Sequence, residues 1–378
     1  MLFINFEPEK SVISLFEQSI YIKQMKIKNI TFRNYKRFVE EKKISFLNSD
    51  NQINDLTLIV GNNGTGKSSI LQAIVAMIAP LTHEKYDFFT IDWDGFEYRF
   101  IQSGGMPLRM KATIEFSEIE LNETFCHANN LNKLVEKSVV IPNKNREVFI
   151  EFDLDGQRVH VQGEKGNYYQ FFGYQYAKQL NSYGLEMTNL FQNVGNIYWY
   201  TEHRTTYSTN DLYNNEFLDL NSIRLFLSSA YNFHIAITTG KRVLRKGEFD
   251  FYEKLSNLYS TVFIDRTFIG SSPRFDLFEK SPAPDFFLTD GKNRYELSEM
   301  SAGERAIFPI LLDFARYNIN NSIIIIDEVE LHLHAPLQQA FIRALPRLGQ
   351  NNQFVLTTHS DEVADMFDED ENQIIRLK

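Results

Sequence analysis

The sequence predicts an α/β protein with two lobes of different character. From residue 291 to the C-terminus, apolar strand-like segments alternate with helical segments, a pattern that favours a parallel sheet covered by helices. In the first 120 residues, apolar and polar residues alternate along short segments, which indicates half-buried antiparallel strands. The two patterns together predict a β-rich N-terminal lobe and a parallel-sheet C-terminal lobe.

Composition and charge narrow the class of protein. The chain has 378 residues, 43% of them hydrophobic, so it can bury the core of one large domain or two. The net charge of −10 means that any contact with nucleic acid has to be local. The single cysteine, Cys126, excludes an internal disulfide framework and a cysteine-based zinc site. The N-terminus lacks a secretory pattern and no segment reaches the ~18 apolar residues of a membrane span, so we expect a cytoplasmic protein without a membrane partner.

The N-terminal part has clear element signals. Residues 9–20 look helical, and 23–38 and 42–47 are interpreted as two strands joined by a polar turn. Residues 108–117 alternate as a half-buried strand, and 148–161 indicate a hairpin around Asp155 and Gly156. A helix after residue 66 carries isoleucines on one face, and Pro80 is expected to end it.

The middle of the chain, about 165–290, is rich in Tyr, Phe and Asn and sustains no heptad pattern, so a long coiled coil is not expected. We therefore predict three parts: an N-terminal lobe over 1–120, a hairpin with an inserted α/β or helical subdomain over 121–290, and a C-terminal lobe over 291–378.

The segment GNNGTGKSS matches the pattern G-x-x-x-x-G-K-[ST] and stands between a strand and a helix. Backbone N–H groups of such a loop cradle phosphates, its lysine reaches the β and γ phosphates, and the next hydroxyl holds Mg²⁺. The sequence thus predicts ATP and Mg²⁺ as cofactors, with Lys67 also catalytic and Ser68 also a metal ligand. The predicted nucleotide-binding residues are Gly61, Asn62, Asn63, Gly64, Thr65, Gly66, Lys67, Ser68 and Ser69.

Two acidic residues follow the apolar run SIIII. A buried parallel strand would deliver Asp327 and Glu328 to its C-terminal edge, where α/β sheets bind ligands. Asp327 is predicted to hold Mg²⁺, and Glu328 to orient and deprotonate the attacking water.

Two further residues are candidates for the same site. His359 ends the apolar segment VLTTHS and could donate a hydrogen bond toward a γ-phosphate if its strand neighbours that of Asp327. Gln102 lies in a glycine-containing turn and is a candidate Mg²⁺ or water ligand, with an ordinary loop glutamine as the alternative.

The segment MSAGER opens a helix without a phosphate-binding lysine. A helix N-terminus with free N–H groups and a hydroxyl is itself an anion site. Its candidate nucleotide-binding residues are Ser301, Gly303 and Glu304.

These motifs, in this order, resemble those of the ABC-type (ATP-binding cassette) ATPases of the RecF, SMC and OLD group, over about 20–120 and 290–378. The opening NITFRNYKRF and the stretch DEVELHLHAPLQQ are similar to the corresponding parts of that group. The resemblance implies a P-loop NTPase fold with an ABC-ATPase head and two subunits facing each other head to tail. Ser301 and Gly303 would then contact the γ-phosphate of ATP held by the other subunit.

The resemblance also extends to standalone ATPases of anti-phage systems, including Septu and the retron-associated PtuA-like proteins. It implies an ATP-hydrolysing homodimer, or higher even oligomer, that serves as sensor or scaffold for an effector such as a nuclease on another chain. A RecF-like ATPase that binds DNA directly is the main alternative. A transporter subunit and a slow ATP-dependent switch are the others.

The residues leave two questions of partner and metal open. DNA or RNA is a further candidate partner, with Lys241, Arg242, Arg245 and Lys246 as the best basic cluster and a solvated surface as its alternative. His332 and His334 are interpreted as packing or dimer-contact residues rather than as a metal site.

Overall fold

The computed structural model describes residues 25–82, 91, 93–96, 107–134, 139–153, 158–183, 190–202, 220–245, 248–272, 284–367 and 373–377. The predicted helix over 9–20, the Asp155–Gly156 turn, Gln102 and Lys246 lie outside these residues.

The described part of the chain contains both β-strands and α-helices. The strands are β1 (Lys26–Arg33), β2 (Lys42–Ser45), β3 (Leu56–Val60), β4 (Arg109–Glu115), β5 (Glu147–Asp153), β6 (Arg158–Val161), β7 (Ile197–Tyr200), β8 (Thr267–Ser272), β9 (Asp285–Thr289), β10 (Arg294–Glu296), β11 (Ile323–Ile326), β12 (Gln353–Thr358) and β13 (Ile374–Arg376). The α-helices are α1 (Lys67–Thr82), α2 (Glu118–Leu134), α3 (Lys165–Tyr169), α4 (Gly173–Ser182), α5 (Leu220–Thr238), α6 (Phe251–Val262), α7 (Ala302–Arg316), α8 (Ala335–Ala344) and α9 (Asp361–Ala364).

An antiparallel sheet forms the N-terminal part, in the order β2-β1-β4-β5-β6. Burial alternates along Arg109–Ala112 of β4, as expected of a half-buried strand, and the rest of that strand is buried on both sides. The strands predicted around 23–38, 42–47 and 108–117 and the hairpin within 148–161 are confirmed.

A parallel sheet forms the second layer, in the order β13-β3-β12-β11-β7. Every neighbouring pair in it is parallel, which confirms the predicted α/β class. Strand β12 lies between β3 and β11, so the strand that ends before His359 separates the strand of the glycine loop from that of the two acidic residues. The neighbourhood predicted for His359 and Asp327 is therefore confirmed at the level of the strands.

Both faces of the parallel sheet are buried, which explains the run of four isoleucines in β11. Ile323 and Ile325 belong to a core shared with α1 and the antiparallel sheet. Ile324 and Ile326 belong to a second core shared with α6, α7 and α8. Covered on both sides, such a strand has no polar face.

Helix α1 lies in the first core and is apolar almost all round, as expected of a helix with no solvent-facing side. The prediction that Pro80 ends it is wrong, since the helix continues to Thr82. Proline fixes φ at a helical value, and so near the C-terminus it disturbs only one turn.

A three-stranded antiparallel sheet, β10-β9-β8, packs its apolar side on the second core and leads into α7.

The division of the chain into three parts at residues 120 and 290 stays a prediction. Two features bear on it: the hairpin β5–β6 extends the N-terminal sheet, and β7 is the edge strand of the parallel sheet. Among the described residues, no helix is both long and apolar enough to cross a membrane.

Candidate functional site

Three loops leave the same edge of the parallel sheet. In the register of the sheet, Val60 pairs with Thr358, and Ile326 pairs with Leu356. The glycine loop begins directly after β3, Asp327 directly after β11, and His359 directly after β12. Because parallel strands end together, the predicted loop, acidic residues and histidine meet at one edge.

The glycine loop needs its glycines for two physical reasons. Gly64 and Gly66 have φ values of +78° and +99°, a region that other residues rarely adopt. A Cβ on Gly66 would also lie 2.7 Å from Cζ of Phe38 and 2.8 Å from Cδ of Arg37. The loop is thus closely covered by the turn that follows β1.

Lys67 points its ammonium group back into the loop. Its Nζ donates to the carbonyl oxygens of Gly61, at 2.7 Å, and Asn62, at 3.3 Å, and the residue is buried. An ammonium group in this position, beside the backbone of a glycine loop, can bind a polyphosphate.

Arg37 is a loop neighbour that the sequence reasoning missed. Its side chain lies against Gly66, and its Nη1 lies 3.9 Å from the position that a Cβ on Gly64 would take. The hydroxyl of Tyr35, in the same turn, donates to the carbonyl oxygen of Ser69 at 3.0 Å and ties this turn to α1. Arg37 therefore adds a second positive charge at the loop, and its only sequence signal is a basic residue in a turn after a strand.

Asp327 is 1% exposed and stands between two hydroxyl groups. Its Oδ1 accepts a hydrogen bond from Oγ1 of Thr357, and the hydroxyl of Ser68 lies near enough to its carboxylate to lower the pKa. Burial raises the pKa of Asp327, while the bonds from Thr357 and Ser68 and the charge of Lys67 act against that rise. The structure thus brings Lys67, Ser68 and Asp327 together.

Glu328 takes a left-handed backbone conformation, with φ of +46°, and its N–H donates to Oγ1 of Thr357 at 2.8 Å. Burial raises the pKa of its carboxyl, and the neighbouring charges of Asp327 and Glu330 raise it further, against the opposing effect of His359. A carboxylate with a raised pKa is a stronger general base than an ordinary surface glutamate.

His359 is held by Glu330, a second residue that the sequence reasoning missed. Glu330 Oε1 accepts from the backbone N–H of His359 at 2.7 Å and lies 2.9 Å from its ring Nδ1. The histidine side chain remains 47% exposed, so the ring stays accessible at the sheet edge. Glu330 could have been predicted from its position, because it is an acidic residue two places after Glu328 and His359 follows the neighbouring strand.

The described residues fit a nucleotide and a divalent cation. Phe38 and Arg37 lie so close to Gly66 that only a residue without a side chain fits there. A phosphate-binding loop needs such a position, since its backbone N–H groups must approach the phosphates. Mg²⁺ prefers oxygen ligands, and Ser68 and Asp327 already stand together. These two residues would hold the cation.

The MSAGER turn forms a capped helix start. Ser301 is the N-cap of α7, its Oγ accepts from the N–H of Glu304, and the Glu304 carboxylate accepts from the N–H of Ser301 at 2.8 Å. Ser301 and Ala302 are exposed, whereas Gly303 is buried and faces Leu337. The turn therefore shows Ser301 and Ala302 to the outside.

Glu304 is buried and tied within its own chain. Its carboxylate accepts from the hydroxyls of Tyr259, at 2.5 Å, and Tyr295, at 2.6 Å, and pairs with Arg266. Burial would raise the pKa of Glu304, but these bonds outweigh it and lower the pKa to about 2. The carboxylate of Glu304 is thus engaged by Tyr259, Tyr295, Arg266 and the N–H of Ser301.

The histidines after Glu330 have local roles. His334 is the N-cap of α8 and accepts from the N–H of Leu337, while His332 is exposed with φ of +64°. Over the described ranges, no group of three or more metal-ligating side chains forms a metal site.

A parallel sheet whose edge gathers a phosphate-type loop, a buried aspartate, a glutamate with a raised pKa and a histidine defines a P-loop ATPase. Residues 25–233, more than half of the chain, match the family model described as AAA ATPase domain, and the chain belongs to this family. Residues 213–365 match a second AAA domain model, whose description mentions an AbiEii toxin and a Type IV TA system.

Two bacterial relatives carry names that agree with this family. The Retron Ec83 probable ATPase of Escherichia coli is 24% identical over 399 residues, covering 91% of this chain and 70% of that protein. The Retron Vc95 probable ATPase of Vibrio cholerae serotype O1 biovar El Tor is 24% identical over 382 residues, covering 89% and 71%. The chain is thus an ATPase with retron-associated relatives.

Among solved structures, the chain is similar to an SMC head bound to the C-winged helix domain of ScpA, with a TM-score of 0.48, 15% identity and 93% of each chain covered. It is also similar to the SMC head domain from Thermotoga maritima, with a TM-score of 0.41, 18% identity, and 91% of this chain and 92% of that chain covered.

Proposed function

We propose that this ATPase binds ATP between two copies of the chain arranged head to tail and hydrolyses it there. The observation that carries the proposal is the meeting of Lys67, Ser68, Asp327, Glu328 and His359 at one sheet edge. The exposed helix start at Ser301 adds support, because a helix N-terminus attracts anions and this one is accessible to a second copy.

Each residue has a distinct task in this proposal. Lys67 and the loop amides bind the phosphates, and Glu328 takes a proton from the attacking water. His359 contributes a donor near the γ-phosphate, and Ser301 and the backbone N–H of Gly303 approach it from the second copy. Ser68 and Asp327, with Gln102 as a further proposed ligand, would hold Mg²⁺, which would neutralise phosphate charge.

Glu304 serves the site indirectly in this proposal. Its carboxylate is engaged by Tyr259, Tyr295, Arg266 and the N–H of Ser301, so it holds the Ser301 turn in shape instead of touching the nucleotide.

We further propose that ATP-driven dimerisation makes this chain the sensor or scaffold of an anti-phage complex whose effector, such as a nuclease, is another protein. The support is the retron association in the names of both relatives and the sequence resemblance to anti-phage ATPases.

The test uses Glu328→Gln, which keeps the size of the side chain but removes the base. We expect ATP and Mg²⁺ to convert this variant to a stable dimer that hydrolyses ATP at least about 100-fold more slowly, since a general base contributes about 10²–10⁴-fold. Lys67→Ala, which removes the phosphate cation, is the control and should bind no ATP and stay monomeric. Hydrolysis by Glu328→Gln at the wild-type rate would contradict the assignment.

A RecF-like ATPase that binds DNA directly is the second candidate. Lys241 and Arg245 are exposed in the loop after α5, which favours it. Arg242, however, pairs with Glu248 at 2.8 Å and stacks on Phe233, so part of the cluster is neutralised. Salt-dependent DNA binding that is lost in Lys241→Ala/Arg245→Ala would support this candidate.

A further inference from the structure

Glu330 makes an unusual pair of contacts with a single residue. The same carboxylate oxygen, Oε1, accepts from the main-chain N–H of His359 at 2.7 Å and lies 2.9 Å from ring Nδ1. One acceptor therefore fixes both the backbone and the ring of this histidine.

The position of Glu330 follows from the sheet. Strands β11 and β12 are parallel neighbours, so the loops after them leave the same edge. The N–H of Val329 donates to the carbonyl oxygen of Thr357 at 3.0 Å, which continues the pairing of the two chain segments beyond the strands. Glu330 is the next residue, and its side chain reaches across to His359.

The pairing decides which ring nitrogen faces outward. Oε1 already accepts the main-chain N–H of His359, and two unprotonated acceptors repel each other at 2.9 Å, so the contact favours the ring tautomer with the proton on Nδ1. Nε2 is then the ring nitrogen left for a ligand, and the side chain is exposed enough to present it. A fixed tautomer and ring orientation are what a partner of this kind provides to a working histidine.

Because Glu330 is buried, the stability of the fold alone does not explain why an acidic residue stands at this position. Glu330 is 6% exposed, and its Oε2 has no hydrogen-bond partner within the described residues. A buried acid with so few donors destabilises a fold, and an apolar residue of similar size would pack at lower free energy. Its Oε1 accepts the N–H of His359 and lies against the ring of the same residue, so its effect is concentrated on that histidine.

We propose that Glu330 is the positioning residue of His359, holding the ring with Nδ1 protonated and Nε2 presented at the nucleotide edge of the sheet. The inference rests on the proposed function in one respect, namely that His359 takes part in ATP hydrolysis.

The first experiment does not depend on ATPase activity. In the full chain labelled with ¹⁵N-histidine, the ring signals of His359 are assigned by their loss in His359→Gln. At a pH where the ring is neutral, we expect Nδ1 to carry the proton in wild type. Glu330→Gln should keep this state, because its amide oxygen can accept the main-chain N–H and meet the ring at the same place, whereas Glu330→Ala should lose it. An unchanged His359 spectrum in Glu330→Ala would overturn the proposal.

The second experiment is a double-variant cycle on the steady-state ATPase. We expect Glu330→Ala to lower kcat at least about tenfold with KM for ATP changed less than about threefold, and Glu330→Gln to restore most of kcat. The double variant Glu330→Ala/His359→Ala should be no slower than His359→Ala, because Glu330 acts through the histidine. If the two losses multiply, Glu330 acts independently and the proposal fails.

A neighbouring carboxylate provides the matched control. Glu362 is exposed, lies close to His359 in the chain and pairs with Ser360 instead. Glu362→Ala should leave both the His359 spectrum and kcat unchanged. If wild type itself lacks ATPase activity, the proposed function fails, while the ring spectrum still decides the role of Glu330.

Discussion

Thr357 connects the two acidic residues of the site through one hydroxyl group. Its Oγ1 donates to the carboxylate of Asp327 and accepts the N–H of Glu328 at 2.8 Å. The second bond helps to hold Glu328 at its left-handed φ, which turns the chain at the proposed general base. At the scale of single residues, one buried threonine sets the relation between the proposed metal ligand and the proposed base.

Replacing Thr357 by valine, which has the same shape without the hydroxyl, tests this relation. We expect a loss of about 1–3 kcal/mol in the free energy of unfolding, because a buried carboxylate and a buried N–H each lose a partner. We also expect kcat to fall about tenfold or more, with a higher Mg²⁺ requirement. Denaturant unfolding and ATPase rates across Mg²⁺ concentrations measure both effects. Thr357→Ser keeps the hydroxyl and should recover most of the rate, so an equal loss in both variants would contradict this role.

At this scale, the sequence predicted the residues that lie in motifs but not their partners Thr357 and Glu330. Lys67, Ser68, Asp327, Glu328 and His359 belong to local motifs, and each motif predicts its own chemistry. The partners Thr357 and Glu330 contact residues on a neighbouring strand, so finding them requires the register between β11 and β12. Local patterns do not contain that register.

At the scale of elements, periodicity predicted the strands of the N-terminal sheet and the strands and helices after residue 291, but not the individual elements between 165 and 290. The run of isoleucines in β11 and the alternation in β4 each have a single structural explanation. The role of Glu304 did not follow in the same way. Its place in the motif predicted a nucleotide-binding residue, but its partners Tyr259, Tyr295 and Arg266 come from three other segments brought together only by the fold.

Glu304 makes the stability of the α7 start dependent on pH. Its folded pKa of about 2 lies below the ordinary 4.5, so its contribution is fully present above pH 4.5 and is lost as the pH falls toward 2. We expect Glu304→Gln to destabilise the protein by up to about 3 kcal/mol near pH 7, since the amide pairs poorly with Arg266. The difference from wild type should shrink as the pH is lowered below 4.5.

Denaturant unfolding at a series of pH values measures this difference, with secondary structure as the signal. Glu362→Gln, at an exposed carboxyl, is the matched control and should track wild type. A Glu304→Gln difference that stays constant between pH 6 and about 3 would show that ionised Glu304 does not stabilise the fold.

At the scale of the whole molecule, the glycine loop and the Ser301 turn belong to different cores. Helix α1 packs in the core shared with the antiparallel sheet, and α7 packs in the core on the other face of the parallel sheet. A two-fold arrangement of two copies would supply each loop with the other copy's turn and would create two equivalent sites. The proposed dimer would thus give the exposed, capped helix start at Ser301 a role.

Ser301→Arg tests the arrangement because it places a long side chain on the exposed turn. In a Glu328→Gln background with ATP and Mg²⁺, we expect it to abolish the dimer while the monomer still binds ATP. Light scattering after size exclusion measures the mass, and a fluorescent ATP analogue measures binding.

Two control variants separate the possible causes of a lost dimer. Ser301→Ala removes the N-cap, at a cost of about 1 kcal/mol, without adding bulk, and so separates loss of the cap from steric blockage of the dimer contact. Asn232→Arg, at an exposed position of α5, controls for added charge and should leave the dimer intact. A dimer that persists in Ser301→Arg would mean that the second copy does not meet the nucleotide through this turn.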